Sequence, residues 1–209
     1  FYQPNNMVLS IVSDISFKTL LEKLKNTFFY TKPGRFYEEL SIEKLIIYKS
    51  PAEQTDILYK IRKIDNTNAT YLSIAFRTCS QKSNDKYILN LLQCILGGFY
   101  NSRLFMLLRE ENGLTYKSNV NTEYYEVMGD LTIMAITDPK KLILNGKNKK
   151  GVLPLIISLL RELIKNGIRQ EELTMAKNFI KGRMILDMDN QDTNAIYNGE
   201  QVLFYNKKN

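Results

Sequence analysis

Residues Leu96 to Tyr116, LGGFYNSRLFMLLREENGLTY, carry the sharpest turn signals and the clearest buried helix, and the rest of the chain can be placed around them. Gly97 and Gly98 end an apolar run. Asn101 or Ser102 is suited to cap a new helix, because a short polar side chain accepts from a backbone N–H that has no partner inside the helix. The helix is predicted over Arg103 to about Glu111, with Leu104, Leu107 and Leu108 on one buried face by their three-and-four spacing. Asn112-Gly113 stops it, since glycine takes the left-handed conformation that closes a helix C-terminus without a Cβ clash. Leu114-Thr115-Tyr116 then turns into a strand.

Downstream, two antiparallel strands are predicted, Lys117 to Tyr125 and Gly129 to Thr137, joined around Glu126 and Val127. The second alternates Leu131, Ile133 and Ala135 against Thr132, Met134 and Ile136. Gly151 to Asn166 is the strongest helix, with Val152, Leu155, Ile156, Leu159, Leu160 and Leu163 on one face and Gly167 at its end. Arg169 to about Asp189 forms another, opened by Gln170-Glu171-Glu172, acids that suit the positive end of a helix dipole. Its inward residues are Leu173, Ala176, Phe179, Ile180, Met184 and Ile185, with Gly182 marking a close helix contact. Thr193 to Tyr205 is a last helix.

Upstream, Thr70 to Cys79 reads as a strand with Leu72, Ile74 and Phe76 on one face. Asn84 or Asp85 caps a helix from about Lys86 to Leu96, whose stripe is Ile88, Leu91, Leu92 and Ile95. Met7 to Ser13 alternates like a strand, and Asp14 and Ser16 offer N-caps for a helix over Phe17 to Phe29 with Phe17, Leu20, Leu21, Leu24 and Phe28 on its apolar face. Thr31 to Ser41, with Pro33-Gly34, reads as a connector. Lys44 to Lys49 and Asp56 to Lys63 follow, separated by Pro51, and in the second Ile57, Tyr59 and Ile61 alternate as a strand. Strands with one apolar face, interleaved with long one-faced helices, predict an α+β fold, a two-layer sandwich with an antiparallel or mixed sheet packed on amphipathic helices.

With 209 residues and 44% hydrophobic content the chain can bury a core of its own. The longest apolar segment, near Val152 to Ile164, is interrupted by Ser158, Arg161 and Glu162 and is too short to span a bilayer, so no membrane partner is expected. No secretory signal opens the chain, which begins at Phe1 and reads as an excised piece of a longer protein. The net charge of +7 comes from scattered lysines. The one cluster, Lys140 to Lys150, lacks interleaved aromatics for base stacking and reads as a solvated loop, which weighs against nucleic acid as a partner. Cys79 and Cys94 have no metal-ligand spacing; as buried reduced thiols in strand and helix interiors they argue for a reducing, intracellular compartment.

An absence decides most about catalysis: the chain contains no histidine. Serine–histidine and cysteine–histidine hydrolase mechanisms are therefore excluded. Carboxylate pairs such as Glu110-Glu111 and Glu171-Glu172 read as helix-surface or helix-start residues, because adjacent positions on a helix do not converge on one substrate. Asp187 and Asp189 are weak as metal ligands, and Gly97-Gly98 lacks the Gly-Lys-Ser/Thr of a phosphate loop. On spacing alone Arg109 is an arginine in the last turn of a helix, satisfied by the dipole, and Tyr116 a strand aromatic.

The pattern SRLF-x-x-LR-x-x-x-GL-x-Y over Ser102 to Tyr116 resembles the central motif in the second, zinc-free part of peptidases of the pitrilysin/insulinase family, which includes the mitochondrial processing peptidase. FYQPNNMVLSIVSDIS, Phe1 to Ser16, is similar to the family's segment joining two homologous domains, and the strand from Tyr71 with the helix to Gly98 to the start of the second domain. The resemblance implies residues 1–45 as the end of a preceding domain plus linker, and residues 46–209 as a second metallopeptidase-like domain, C-terminally truncated, with the strand and helix of Met7 to Phe29 standing in for the missing pair. It implies that Arg109 and Tyr116 form a substrate-contacting pair facing a zinc site, with Gly113 as the supporting turn. Guanidinium and phenol donors suit a peptide carbonyl or the oxyanion formed from it. Arg103 reads as structural pairing. The family's H-x-x-E-H zinc motif is impossible without imidazole, so no cofactor is expected here and zinc is expected in the parent protein or a partner subunit. The implied partners are a zinc-bearing N-terminal domain or subunit and a peptide substrate. Two alternatives stand beside this: a non-catalytic subunit homologue, and a basic nucleic-acid-binding domain.

Overall fold

The computed structural model describes residues 7–25, 27, 54–62, 67–143, 145–146 and 149–205. These divide into two compact units, residues 49–180 and a unit joining residues 1–48 to 181–209. The connector at 31–41 and the segment 44–49 lie outside the described residues, as does Phe28.

The larger unit is built on a three-stranded antiparallel sheet of β1 (Thr70–Thr78), β2 (Thr115–Tyr124) and β3 (Gly129–Thr137), with β3 in the centre. Its register sets Ile74 and Val120 on either side of Ile133, and Leu72 and Ser118 on either side of Ala135. The face carrying these residues is the buried one: Ile133, Ala135, Leu131 and Val120 join the core, with Leu72 and Ile74 packed against it. The opposite face, with Tyr71 and Met134, is exposed. The sheet is therefore covered on one side, and the two-layer α+β sandwich holds, with a sheet that is antiparallel throughout. The β2–β3 hairpin closes where Tyr125 N–H donates to Met128 O at 2.8 Å, around Glu126 and Val127 as predicted.

The covering layer contains α2 (Asp85–Gly97), a short α3 (Arg103–Phe105) that runs into a π-helical turn (Met106–Glu110), and α5 (Val152–Asn166). Leu104 and Leu108 are fully buried and meet Leu96, Val152, Ile156 and Leu159 in one cluster. The stripe of α2 differs from the prediction. Cys94, Ile95 and Leu96 are buried, while Ile88 is 66% exposed. Leu89, Leu92 and Leu96 face the sheet core, and Leu91, Cys94 and Ile95 face Ala176 and Ile180 of α6 (Gln170–Met188), so the helix is wedged between two neighbours instead of lying on one. A Cβ on Gly97 would lie 2.7 Å from the backbone nitrogen of Val120, so the end of α2 rests directly on β2.

Several expected features are absent or displaced. Residues 57–62 form no strand, and Ile57, Tyr59 and Ile61 are 91%, 85% and 88% exposed. Alternation makes a strand only where another edge takes its backbone hydrogen bonds, and among the described residues none does. The same reason applies to residues 7–13 of the smaller unit. Cys79 lies one residue beyond β1, half-buried, and neither it nor the buried Cys94 is in a disulfide. The span Lys140 to Lys150 is not one loop: α4 (Pro139–Leu142), capped by Asp138, precedes two antiparallel strands of two residues each, β4 (Asn145–Gly146) and β5 (Lys149–Lys150). In α6 Phe179, Met184 and Ile185 are exposed, and Gly182 has nothing within contact of a Cβ.

In the smaller unit α1 (Phe17–Leu24) is capped by Ser16, whose hydroxyl accepts from Thr19 N–H. Leu20, Leu21 and Leu24 are half-buried on one face, but Phe17 is 78% exposed. The last helix, α7 (Gln191–Tyr205), carries Gly199 beside Ser10, 3.4 Å from where a Cβ would stand. No helix among the described residues is long and apolar enough to cross a membrane.

Candidate functional site

The site predicted at Arg109, Gly113 and Tyr116 is a chain reversal between the covering layer and the sheet. Ser102 occupies the cap position of α3, but its hydroxyl makes no capping bond; its carbonyl accepts from Met106 N–H at 3.0 Å. The helix widens after Phe105, where Glu111 N–H donates to Met106 O, a span of five residues at 2.9 Å. Periodicity over one or two turns identifies the buried leucines but not the pitch of the turn that carries them, so the sequence predicts a regular helix to Glu111 and the structure departs from it. Wide turns of this kind give up regular bonding and recur at functional sites.

The reversal is tied at five carbonyls, those of Leu107, Leu108, Arg109, Gly113 and Leu114. Gly113 N–H donates to Arg109 O at 3.0 Å and Leu114 N–H to Leu108 O at 2.8 Å, closing the helix through Gly113 at φ 57°. Asn112 Nδ2 donates to Leu107 O at 2.7 Å. Thr137 Oγ1, fully buried at the end of β3, donates to Leu114 O at 2.6 Å. Lys141 Nζ donates to Gly113 O at 2.9 Å. Lys141 belongs to the lysine cluster whose composition predicts a solvated loop; no local signal marks a lysine that reaches back 28 residues.

Beyond the reversal β2 starts with a bulge: Thr115 pairs with Thr137 and Lys117 with Ile136, which leaves Tyr116 as the extra residue. A bulge re-aims the side chain it carries. Tyr116 is 66% exposed, and Arg109 is exposed with its guanidinium 5.2 Å from the Phe105 ring centroid. Cation and ring face hold each other at that distance. The Phe105 ring in turn meets Tyr100 edge-on at 5.3 Å. Arg109 and Tyr116 thus flank Gly113 as surface groups with their donors free of hydrogen bonds among the described residues, and they make none to each other.

Arg103 is the anchor of this segment. Its Nε and Nη2 donate to Glu172 Oε1 and Oε2 at 2.8 and 2.7 Å, and Nη2 also to Gly167 O at 3.0 Å. Arg169 adds Nη2 to Oε1 at 3.1 Å and its backbone N–H to Oε2 at 3.0 Å. The Glu172 side chain is 8% exposed and that of Arg103 13%. The Arg103 fork, with help from Arg169, outweighs burial and lowers the Glu172 carboxyl to about 2; the Arg103 guanidinium is raised by the same pair. Arg103 is structural, as expected. Glu172 stands in the first turn of α6, as the sequence predicts, but it is buried there, and the partner that buries it lies 69 residues away.

With no histidine in the chain, and with no three His, Cys, Asp or Glu side chains gathered among the described residues, the donor set does not fit a zinc site.

Comparison with known proteins gives a consistent result. A family model described as the peptidase M16 inactive domain matches residues 1–180. The chain is 27% identical over 207 residues to an uncharacterized zinc protease, YmxG, of Bacillus subtilis, covering 99% of this chain and 46% of that protein. It is 26% identical over 186 residues to a non-peptidase homolog, YmxG, of Helicobacter pylori, covering 87% of this chain and 38% of that one. The crystal structure of a Helicobacter pylori protease has the same fold, with a TM-score of 0.67 at 16% identity over 92% of this chain and 44% of that one. The chain thus spans less than half the length of these relatives.

Proposed function

The chain belongs to the peptidase M16 inactive-domain family, and on that premise we propose that it is the zinc-free half of a pitrilysin/insulinase-type metallopeptidase, supplying substrate contacts to a metal centre carried elsewhere. The zinc, its ligands and the general base belong to a zinc-bearing N-terminal domain of the same parent chain or to a partner subunit. Zinc supplies the Lewis acid and the activated water there. The residues of this chain position a peptide: the Arg109 guanidinium and the Tyr116 phenol donate to a peptide carbonyl and hold the negative charge that develops on it. The observation that carries the reading is the reversal at Gly113, which commits five hydrogen bonds (from Gly113, Leu114, Asn112, Thr137 and Lys141) to presenting two side chains whose own donors are unused. That Cys79 and Cys94 are not joined in a disulfide favours a reducing compartment.

The test uses the full-length parent protein. Arg109→Ala keeps its zinc by metal analysis and loses about a hundredfold to a thousandfold in peptide turnover, the range for removing one oxyanion donor; unimpaired turnover would sink the assignment. Similarity to the Helicobacter pylori non-peptidase homolog favours a second reading, a subunit that kept the fold without the chemistry. A wild-type parent that binds no zinc and turns over no peptide decides for that reading.

A further inference from the structure

No polar group holds the end of the Arg109 side chain. Among the described residues its guanidinium makes no hydrogen bond and no ion pair, whereas the guanidinium of Arg103, six residues earlier, is tied by three bonds. What the Arg109 guanidinium meets is the ring of Phe105, 5.2 Å from its centroid. Phe105 is half-buried, follows the fully buried Leu104, and is met edge-on by Tyr100, with the ring planes at 87°. The backbone between cation and ring explains why they meet. In an α-helix the residue four positions on stands about 40° past a full turn. Between Phe105 and Arg109 the chain takes the wider π turn, in which Glu111 N–H reaches back to Met106 O, so each residue advances by less and Arg109 comes more nearly above Phe105.

We propose that Phe105 is a positioning residue for the reaction: its ring face holds the Arg109 guanidinium aimed at the place where the peptide carbonyl gains charge. A donor stabilises developing charge best when it is oriented beforehand, because it then has no reorganisation to undergo at the moment of reaction. An exposed arginine left to itself spreads over many rotamers, and ordering it costs free energy that the peptide would have to supply. A ring attracts the cation through its quadrupole and accepts none of the five guanidinium N–H donors in the plane of the fork, so these stay available to a substrate. A carboxylate at the same place would orient the arginine too, but it would occupy the fork and neutralise its charge, as Glu172 does for Arg103. The inference rests on the peptide-contacting role proposed for Arg109.

The test uses the full-length parent protein with Phe105 replaced by phenylalanines carrying one, two and three ring fluorines, which weaken the negative ring face in steps and nearly keep its size. The expected result is that kcat/KM falls in that order, by about twofold to fivefold over the series, the factor that an exposed cation–π contact supplies. The loss lies in kcat, the melting temperature does not move, and Phe105→Tyr turns over peptide as the wild type does. In an Arg109→Ala background the series is flat. Turnover indifferent to fluorination overturns the proposal, and so does a slope that persists without Arg109, which would put the ring on the substrate itself. Unimpaired turnover in Arg109→Ala is a separate failure, that of the Arg109 site. A second measurement needs no turnover and decides for a parent that has none: the nitrogen-15 nuclear Overhauser effect at Arg109 Nε, assigned by its loss in Arg109→Ala. It is expected to be that of a restricted side chain, and to drop to that of a mobile surface arginine in Phe105→Leu; equal values in the two proteins overturn the proposal.

Discussion

Replacing Glu172 by glutamine removes one charge from the only buried ion-pair network among the described residues while keeping the side chain's volume. The carboxylate is held at about 2 against an ordinary 4.5, and at about 1.4 kcal/mol per tenfold change in proton affinity this amounts to about 3 kcal/mol of stability at neutral pH. The figure agrees with the roughly 3–5 kcal/mol lost when a buried pair is broken and its partner left uncompensated. A carboxylate whose folded value is depressed stabilises the fold above its ordinary value, and that contribution is lost as pH falls from about 4.5 through about 2. Glu172→Gln is therefore expected to lower the thermal midpoint by roughly 6–12 °C at neutral pH, followed by far-ultraviolet circular dichroism, and to converge on the wild type near pH 2. A loss under about 1 kcal/mol, as for solvated pairs, or a loss equal at all pH values, would refute the account of how α3 is anchored.

Two further comparisons probe the backbone and the core. Gly113→Ala meets no steric obstacle and is expected to cost about 1–2 kcal/mol for the left-handed backbone alone, whereas Gly167→Ala, at φ 73° and ψ −157°, enters a region open essentially only to glycine and is expected to cost more; equal urea midpoints would contradict this. Ile95→Ala should cost about 2–5 kcal/mol as a core truncation, while Ile88→Ala, at an exposed position, stays within about 0.5 kcal/mol; the reverse order would restore the stripe predicted from periodicity.

Much of the site was legible because its signals are local. The Asn112-Gly113 stop, the leucine face of α3 and the alternation of β3 each depend on a few neighbouring residues, and each stands as read. Where reading failed, the missing information came from another part of the chain. Ile88 and Ile95 occupy equivalent positions in the helical repeat, but only Ile95 meets α6. Glu172 looks like any acid in a first turn until Arg103 closes on it. Residues 57–62 alternate as well as β3 does, yet find no edge to pair with among the described residues.

From the sequence alone, the lack of histidine rules out imidazole ligands in this chain under any fold, and the motif from Ser102 to Tyr116 places the chain in its family. Tertiary structure alone decided that the helix before Gly113 widens into a π turn, that Tyr116 stands on a bulge, and that Arg103 closes on Glu172 from 69 residues away. The physical reason is the range of the interactions. Capping, periodicity and glycine geometry act over one or two turns, whereas burial and partner choice are settled only when strands and helices distant in the chain compete for the same surface.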